Sequence, residues 1–166
     1  MSTKDPQTVK AGGTRAVAPR IAGVLVRELG NVLTRSGYMS EVFRTDWTEV
    51  GITVRQVNWV LMDPGAVTDW HFHLRQTDHL VGVGGHLRLA LFDGREGSST
   101  RGASEVIHLG EIRPVMVVVP PGVWHALRNL SGAHAGYLNM TSELYAHESP
   151  DNWRSAPGSA DVPDIL

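Results

Sequence analysis

Two histidines, His71 and His73, stand two positions apart, with Asp78 a short distance further on. Alternate side chains of an extended segment share a face, so both imidazoles point the same way. A short turn would then fold Asp78 back beside them. The stretch from Gly65 to Gly85 reads G-x5-H-x-H-x4-D-x6-G. A second stretch, Pro120-Pro121-Gly122-Val123-Trp124-His125 and then Asn129, reads P-x-G-x2-H-x3-N. Neutral imidazoles with a carboxylate are ligands for divalent metals such as Zn, Fe, Mn, Co or Ni. The same groups also move protons near neutral pH. An isolated H-x-H is more often the polar face of a half-buried strand. Two patterns in order, with glycines and prolines in place, single out His71, His73, Asp78 and His125 as candidate functional residues.

The elements that must position these residues read as short strands separated by turns. Residues 53–62 alternate, with Arg55, Val57, Trp59 and Leu61 on one face and Val54, Gln56, Asn58, Val60 and Met62 on the other. Strands are also predicted over 70–74, 78–83, 86–92, 104–109, 115–119, 123–129 and 136–140. Only 24–33 and 149–154 are predicted as short helices. Many short strands with regular turn signals indicate an all-β sandwich or barrel. We expect one domain over 21–157, an N-terminal arm over 1–20 and a surface tail over 158–166.

The chain has 166 residues, 42% hydrophobic and 19% charged, with a net charge of -2 and no cysteine. That length suits one domain with a substantial core. No basic run argues for nucleic acid or an anionic membrane surface. The absence of cysteine excludes disulfides and thiolate metal sites, and fits a cytoplasmic protein. The longest apolar run, 115–119, is too short to span a bilayer, and the polar N-terminus carries no apolar signal core. His79, His86, His108, His134 and His147 fall in no pattern and are read as structural or surface residues.

The paired motifs resemble those of the cupin superfamily, and further segments are similar to one branch, the dTDP-4-dehydrorhamnose 3,5-epimerases. Residues 37–44 (GYMSEVFR) resemble its R-G-x-F-x-E-x-F/R segment, and Gln56-Val57-Asn58 its Q-x-N strand. Trp70-His71-Phe72 falls where the family has G-L-H-Y/F. Gly85, Asp93-Gly94-Arg95 and Ser98-Ser99-Thr100 resemble G-x7-D-x-R-x2-S-P-T, and residues 121–125 resemble P-x-G-F-A-H. Residues 141–145 resemble the segment with the catalytic tyrosine, and 150–154 a P-D-x-(Y/W)-R ending.

The resemblance implies a single cupin jelly-roll β-barrel of two antiparallel sheets with a few short helices, and a homodimer. It implies proton transfer beside the carbonyl of a keto sugar, carried on a nucleotide. His71 would be the base and Tyr145 the acid, with Gln56, Asn58 and His125 lining the sugar pocket. Read alone, Tyr145 is as readily a rim tyrosine, and Asp93 with Arg95 a solvated turn salt bridge.

The departures matter as much. Thr68 stands where the family has an arginine, so a cationic contact to the nucleotide diphosphate is lost there. His73 stands where it has glutamine, and Asp78 where it has a lysine that stabilises the enolate. A carboxylate at that position repels developing negative charge. Together these changes complete a three-histidine, one-aspartate set, His71, His73, Asp78 and His125. One divalent cation there could replace the lysine, at the expense of one nitrogen of His71. Three readings follow: a keto-sugar epimerase or isomerase without a cofactor, a metal-dependent cupin (oxygenase or isomerase), and a non-catalytic sugar-binding cupin.

Overall fold

The computed structural model describes residues 18–48, 51, 53–155, 159 and 161–166, together with Lys4 and Ala11. Most of the expected arm over 1–20, and part of 156–160, lie outside the described residues.

Twelve strands follow in order: β1 (Leu25–Glu28), β2 (Val32–Thr34), β3 (Gly37–Met39), β4 (Gln56–Met62), β5 (His71–Phe72), β6 (Asp78–Val83), β7 (His86–Asp93), β8 (Ser104–Gly110), β9 (Val115–Val119), β10 (Val123–Asn129), β11 (Ala135–Thr141) and β12 (Trp153–Arg154). Two antiparallel five-stranded sheets form, in the orders β1-β9-β6-β11-β4 and β12-β5-β10-β7-β8, with β2-β3 as a separate hairpin. This is the jelly-roll barrel that the family resemblance implies, within the sandwich-or-barrel class indicated by the strand pattern.

The inner faces meet over a core that includes Leu80, Leu87, Leu89, Leu91, Ile107, Leu109, Val117 and Leu127. A second cluster lies on the other face of the first sheet. There Val81, Met116, Val118 and Met140 are covered by Leu29, Val42, Phe43, Trp47 and Val54. The guanidinium of Arg27 stacks on Trp47 at 3.8 Å, a cation–π contact that closes this layer.

The two helices expected at 24–33 and 149–154 do not form, and no α-helix occurs among the described residues. Leu25 through Glu28 pair instead with Val118 back to Val115, and Trp153 and Arg154 pair with Phe72 and His71. Both segments are too short to nucleate a helix in isolation, and a ready strand edge satisfies their backbone groups.

Alternation then positions the site. In the 71–73 segment the two histidines face inward. Phe72 faces outward onto Trp124, with ring centroids 4.5 Å apart. β10 brings His125 directly opposite His71. Gly122 turns the chain into β10 at φ 79 while its N–H donates to the carbonyl of His73 at 2.7 Å. A side chain there would also meet Arg95 at 2.8 Å, so glycine is required twice over.

Candidate active site

His71, His73, Asp78 and His125 converge at the inner end of the barrel, each presenting one ligand atom within 4.8 Å of the others. Three strands contribute: β5 and the residue after it, the start of β6, and β10. Asp78 is fully buried, and one of its oxygens, Oδ2, lies 3.2 Å from Nε2 of both His73 and His125. Its other oxygen accepts from Nε2 of Gln76 at 2.7 Å.

The remaining ring nitrogens fix the protons. Nδ1 of His71 lies 3.0 Å from the carbonyl of Asp69, and Nδ1 of His125 lies 3.1 Å from that of Val123. Nδ1 of His73 contacts the carbonyl of Asp151. A carbonyl can only accept, so all three rings carry their proton on Nδ1, and in the neutral form Nε2 is a bare lone pair. Two lone pairs therefore face one carboxylate oxygen. Asp78 Oδ2 and His125 Nε2 are buried without a hydrogen-bond partner among the described residues.

Such an arrangement is stable only with positive charge inside it, either a proton on an imidazole or a cation. Backbone carbonyls on the far nitrogens are also the usual outer partners of metal-bound histidines. The donor set of three nitrogens and one oxygen thus fits a divalent metal such as Zn, Fe, Mn, Co or Ni.

The electrostatics follow from the same contacts. Burial disfavours ionisation of Asp78, yet positive charge carried on the His125 and His73 side holds its carboxyl far below the usual range. Burial alone would lower His73, but the bond to Asp78 and its charge raise it. His71 moves the other way. Burial first, and then the neighbouring His125 and His73, lower it to about 3. At neutral pH it is an uncharged ring with an open Nε2, as a proton acceptor must be.

His71 and His73 form one wall of a cavity of about 190 Å³. Gln56, Asn58, Asn139 and Thr141 on β4 and β11 form another, and Glu143, Leu144 and Tyr145 stand at its side. The side chain of Gln56 is used at both ends. Its oxygen accepts the backbone N–H of Tyr145 at 2.9 Å, and its amide donates to Asn58 at 2.9 Å. Tyr145 is half exposed. His125 and Asp78 do not reach the cavity wall. His125 stands behind His71, with ring centroids 4.1 Å apart.

Among the cavity residues, Arg75, Gln76, Asn139, Ala146 and Asp151 were not singled out by sequence. Asp151 carries the most structure. Its carboxylate accepts the backbone N–H groups of Leu74 at 2.9 Å, Arg75 at 2.8 Å and Gln76 at 3.3 Å. The signal was present, since Asp151 belongs to the P-D-x-(Y/W)-R match, but its partners lie more than seventy positions away. The reading of Asp93 and Arg95 as a solvated salt bridge is corrected. The Asp93 side chain is fully buried, holding Arg95 Nε at 2.8 Å and the hydroxyls of Ser98 and Thr100 at 2.6 Å each. Arg95 continues to the carbonyl of Ala22 at 2.7 Å. The group ties the entry of the chain to the barrel and has no contact with the cavity. Of the five remaining histidines, His79 is buried in the first sheet, and exposed His86 lies 2.8 Å from His108 on the outside.

Comparison with known proteins places the chain. The sequence model of the family described as dTDP-4-dehydrorhamnose 3,5-epimerase matches residues 18–156. A probable low-salt glycan biosynthesis epimerase of Haloferax volcanii is 33% identical over 137 residues, covering 82% of this chain and 88% of that protein. The spore coat polysaccharide biosynthesis protein SpsL of Bacillus subtilis is 31% identical, covering 81% and 88%. The fold is shared with a dTDP sugar isomerase from Desulfovibrio desulfuricans at a TM-score of 0.82 and 21% identity, over 89% of this chain and 93% of that one. The 3'-monoepimerase ChmJ of Streptomyces bikiniensis, solved with dTDP-quinovose, matches at 0.76 and 25% identity, over 90% and 79%. With the family model spanning 18–156 and two relatives above 30% identity covered to 88%, this chain belongs to the dTDP-4-dehydrorhamnose 3,5-epimerase family.

Proposed function

We propose that the protein is an epimerase of a keto sugar carried on a nucleoside diphosphate. The observation that carries this reading is one cavity lined by both His71 and Tyr145, with the amides of Gln56 and Asn58 beside them. Nε2 of His71 takes the proton from the carbon next to the ketone. The C–H electrons move into the carbon–carbon bond, and the carbonyl pair moves onto oxygen as an enolate. The Tyr145 hydroxyl returns a proton from the opposite face, and the carbon is inverted. Gln56 and Asn58 bind sugar hydroxyls, and His125 braces His71 from behind. Acid–base steps of this kind contribute about 10²- to 10⁴-fold each.

The test is product analysis by NMR with a 4-keto-6-deoxy sugar nucleotide. Inversion at a carbon flanking the ketone, abolished in His71→Ala and cut in Tyr145→Phe, is the expected result. Unchanged substrate after prolonged incubation would remove the reading.

A second reading is favoured by the pairing of Asp78 Oδ2 with two imidazole lone pairs. In it His71, His73, Asp78 and His125 hold a divalent cation, and the protein is a metal-dependent cupin. The cation would supply the positive charge that the family's lysine supplies elsewhere, and would occupy His71 Nε2. Elemental analysis after reconstitution with Fe, Mn, Ni, Co and Zn, together with the shift in melting temperature, tests it. Stoichiometry near zero for every metal would end this reading.

No helix among the described residues is long and apolar enough to cross a membrane. A cytoplasmic location is proposed separately, as the cysteine-free sequence fits a reducing compartment. A homodimer is also proposed. It is supported by the exposed apolar face of β4, where Val57, Trp59 and Leu61 are each more than half exposed. This is far more than a solvated strand face usually carries.

A further inference from the structure

The structure assigns Arg75 as the group that binds the diphosphate of the substrate, held in place by Asp151, an inference that rests on the nucleotide-linked reading above. Arg75 is the one lysine or arginine lining the cavity among the described residues. Its guanidinium has no hydrogen-bond or ion-pair partner among them, whereas the other cations near the mouth are engaged. Arg55 pairs with Glu143 at 3.2 Å, and Arg154 pairs with Asp69 at 3.1 Å. Thr68, at the position where an arginine is expected from the family pattern, cannot substitute. Its hydroxyl accepts the backbone N–H of Leu127 at 2.9 Å and is part of the barrel wall.

An exposed arginine is ordinarily mobile, but this one stands on a fixed base. The Asp151 carboxylate accepts three successive backbone N–H groups of the 74–76 turn. The carbonyl of the same residue accepts from His73. One residue therefore sets Arg75 at a constant distance from the histidine cluster. The acids of the cavity do not compete for the guanidinium, because Glu143 is paired and Asp151 is saturated by backbone donors. A guanidinium presents a planar fork matched to phosphate oxygens. Placed at the rim, it would hold the phosphate while the sugar reaches His71.

The experiment is calorimetric titration of the purified protein with dTDP, UDP and thymidine, for wild type, Arg75→Ala, Arg75→Lys, Asp151→Ala and the double variant Arg75→Ala with Asp151→Ala. Loss of a charge-assisted contact predicts about 10- to 100-fold weaker dTDP binding in Arg75→Ala, partial recovery in Arg75→Lys, and thymidine binding that is the same in all. Asp151→Ala should weaken dTDP binding less, and the double variant should be no weaker than Arg75→Ala alone, because both act through one contact. Wild-type affinity for both diphosphates in Arg75→Ala, or no diphosphate binding by the wild type, would overturn the proposal. The two failures separate. Diphosphate binding that depends on Arg75 without inversion of any keto sugar removes the epimerase reading and leaves Arg75 standing. Inversion with Arg75 dispensable does the reverse.

Discussion

Asp78 and Asp93 are both fully buried and both ionised, yet they live in opposite surroundings. Asp93 is met by donors only: the backbone N–H and guanidinium of Arg95, and the hydroxyls of Ser98 and Thr100. Those contacts hold it well below the usual carboxylate range, the Arg95 bond most of all. Asp78 receives one amide from Gln76 and two imidazole nitrogens whose protons lie on their far sides. A carboxylate whose donors are built into the chain is a structural clamp. One that still requires a proton or a cation is poised for chemistry, because its charge balance can change during a reaction.

The largest expected effect sharpens this division. His71→Ala should lower kcat by about 10³- to 10⁴-fold with the far-UV spectrum unchanged, while Ser98→Ala beside Asp93 should leave kcat within about twofold; steady-state rates check both. Next, Asp93→Ala should cost about 3–5 kcal/mol in urea unfolding, since it strands the Arg95 guanidinium. Comparable loss from Asp78→Asn would erase the contrast. Tyr145→Phe should lower kcat by about 10²-fold with little change in KM. Asp78→Asn at pH 8 should change stability by less than about 1 kcal/mol, because an amide N–H can donate to a bare Nε2. The same variant should lose any metal-dependent rise in melting temperature.

The pH dependence of stability separates the two regions by window. His71 is lowered to about 3 in the folded protein from 6.5. Between those values the unfolded chain binds a proton that the folded one refuses, so stability falls as pH falls through the window, by at most about 1.4 kcal/mol per pH unit. His73 is raised, so its contribution is present below 6.5 and lost as pH rises through its folded value. Asp93 is lowered from 3.8, and its contribution is lost only on further acidification. Urea titrations of His71→Gln should therefore flatten the slope between pH 6.5 and 4 and keep the steep loss below it.

The central strands and the shared face of His71 and His73 were legible because alternation is a short period, while Asp78 and His125 were legible through the motif resemblance. Alternation placed His71 and His73 on one face, and the β10 motif placed His125. What escaped depended on pairing across the chain. Within the 24–33 stretch, Leu25–Glu28 extends because Val115–Val118 offers it an edge, which no local pattern reports. Asp93 looks like a turn acid until the segment around Ala22 packs over it. Asp151 and Arg75 were missed for the same reason, since their contact joins two turns distant in sequence.

Solvent-isotope exchange is the most direct test of the central claim that His71 moves a proton at a carbon beside a ketone. The protein is incubated in D₂O with a 4-keto-6-deoxy sugar nucleotide, metal-free and metal-loaded, and the sugar is read by mass and proton NMR. We predict deuterium at a carbon flanking the ketone for the wild type, faster than in buffer, and buffer-level exchange for His71→Ala. Exchange at the buffer rate in the wild type under both conditions would contradict the account.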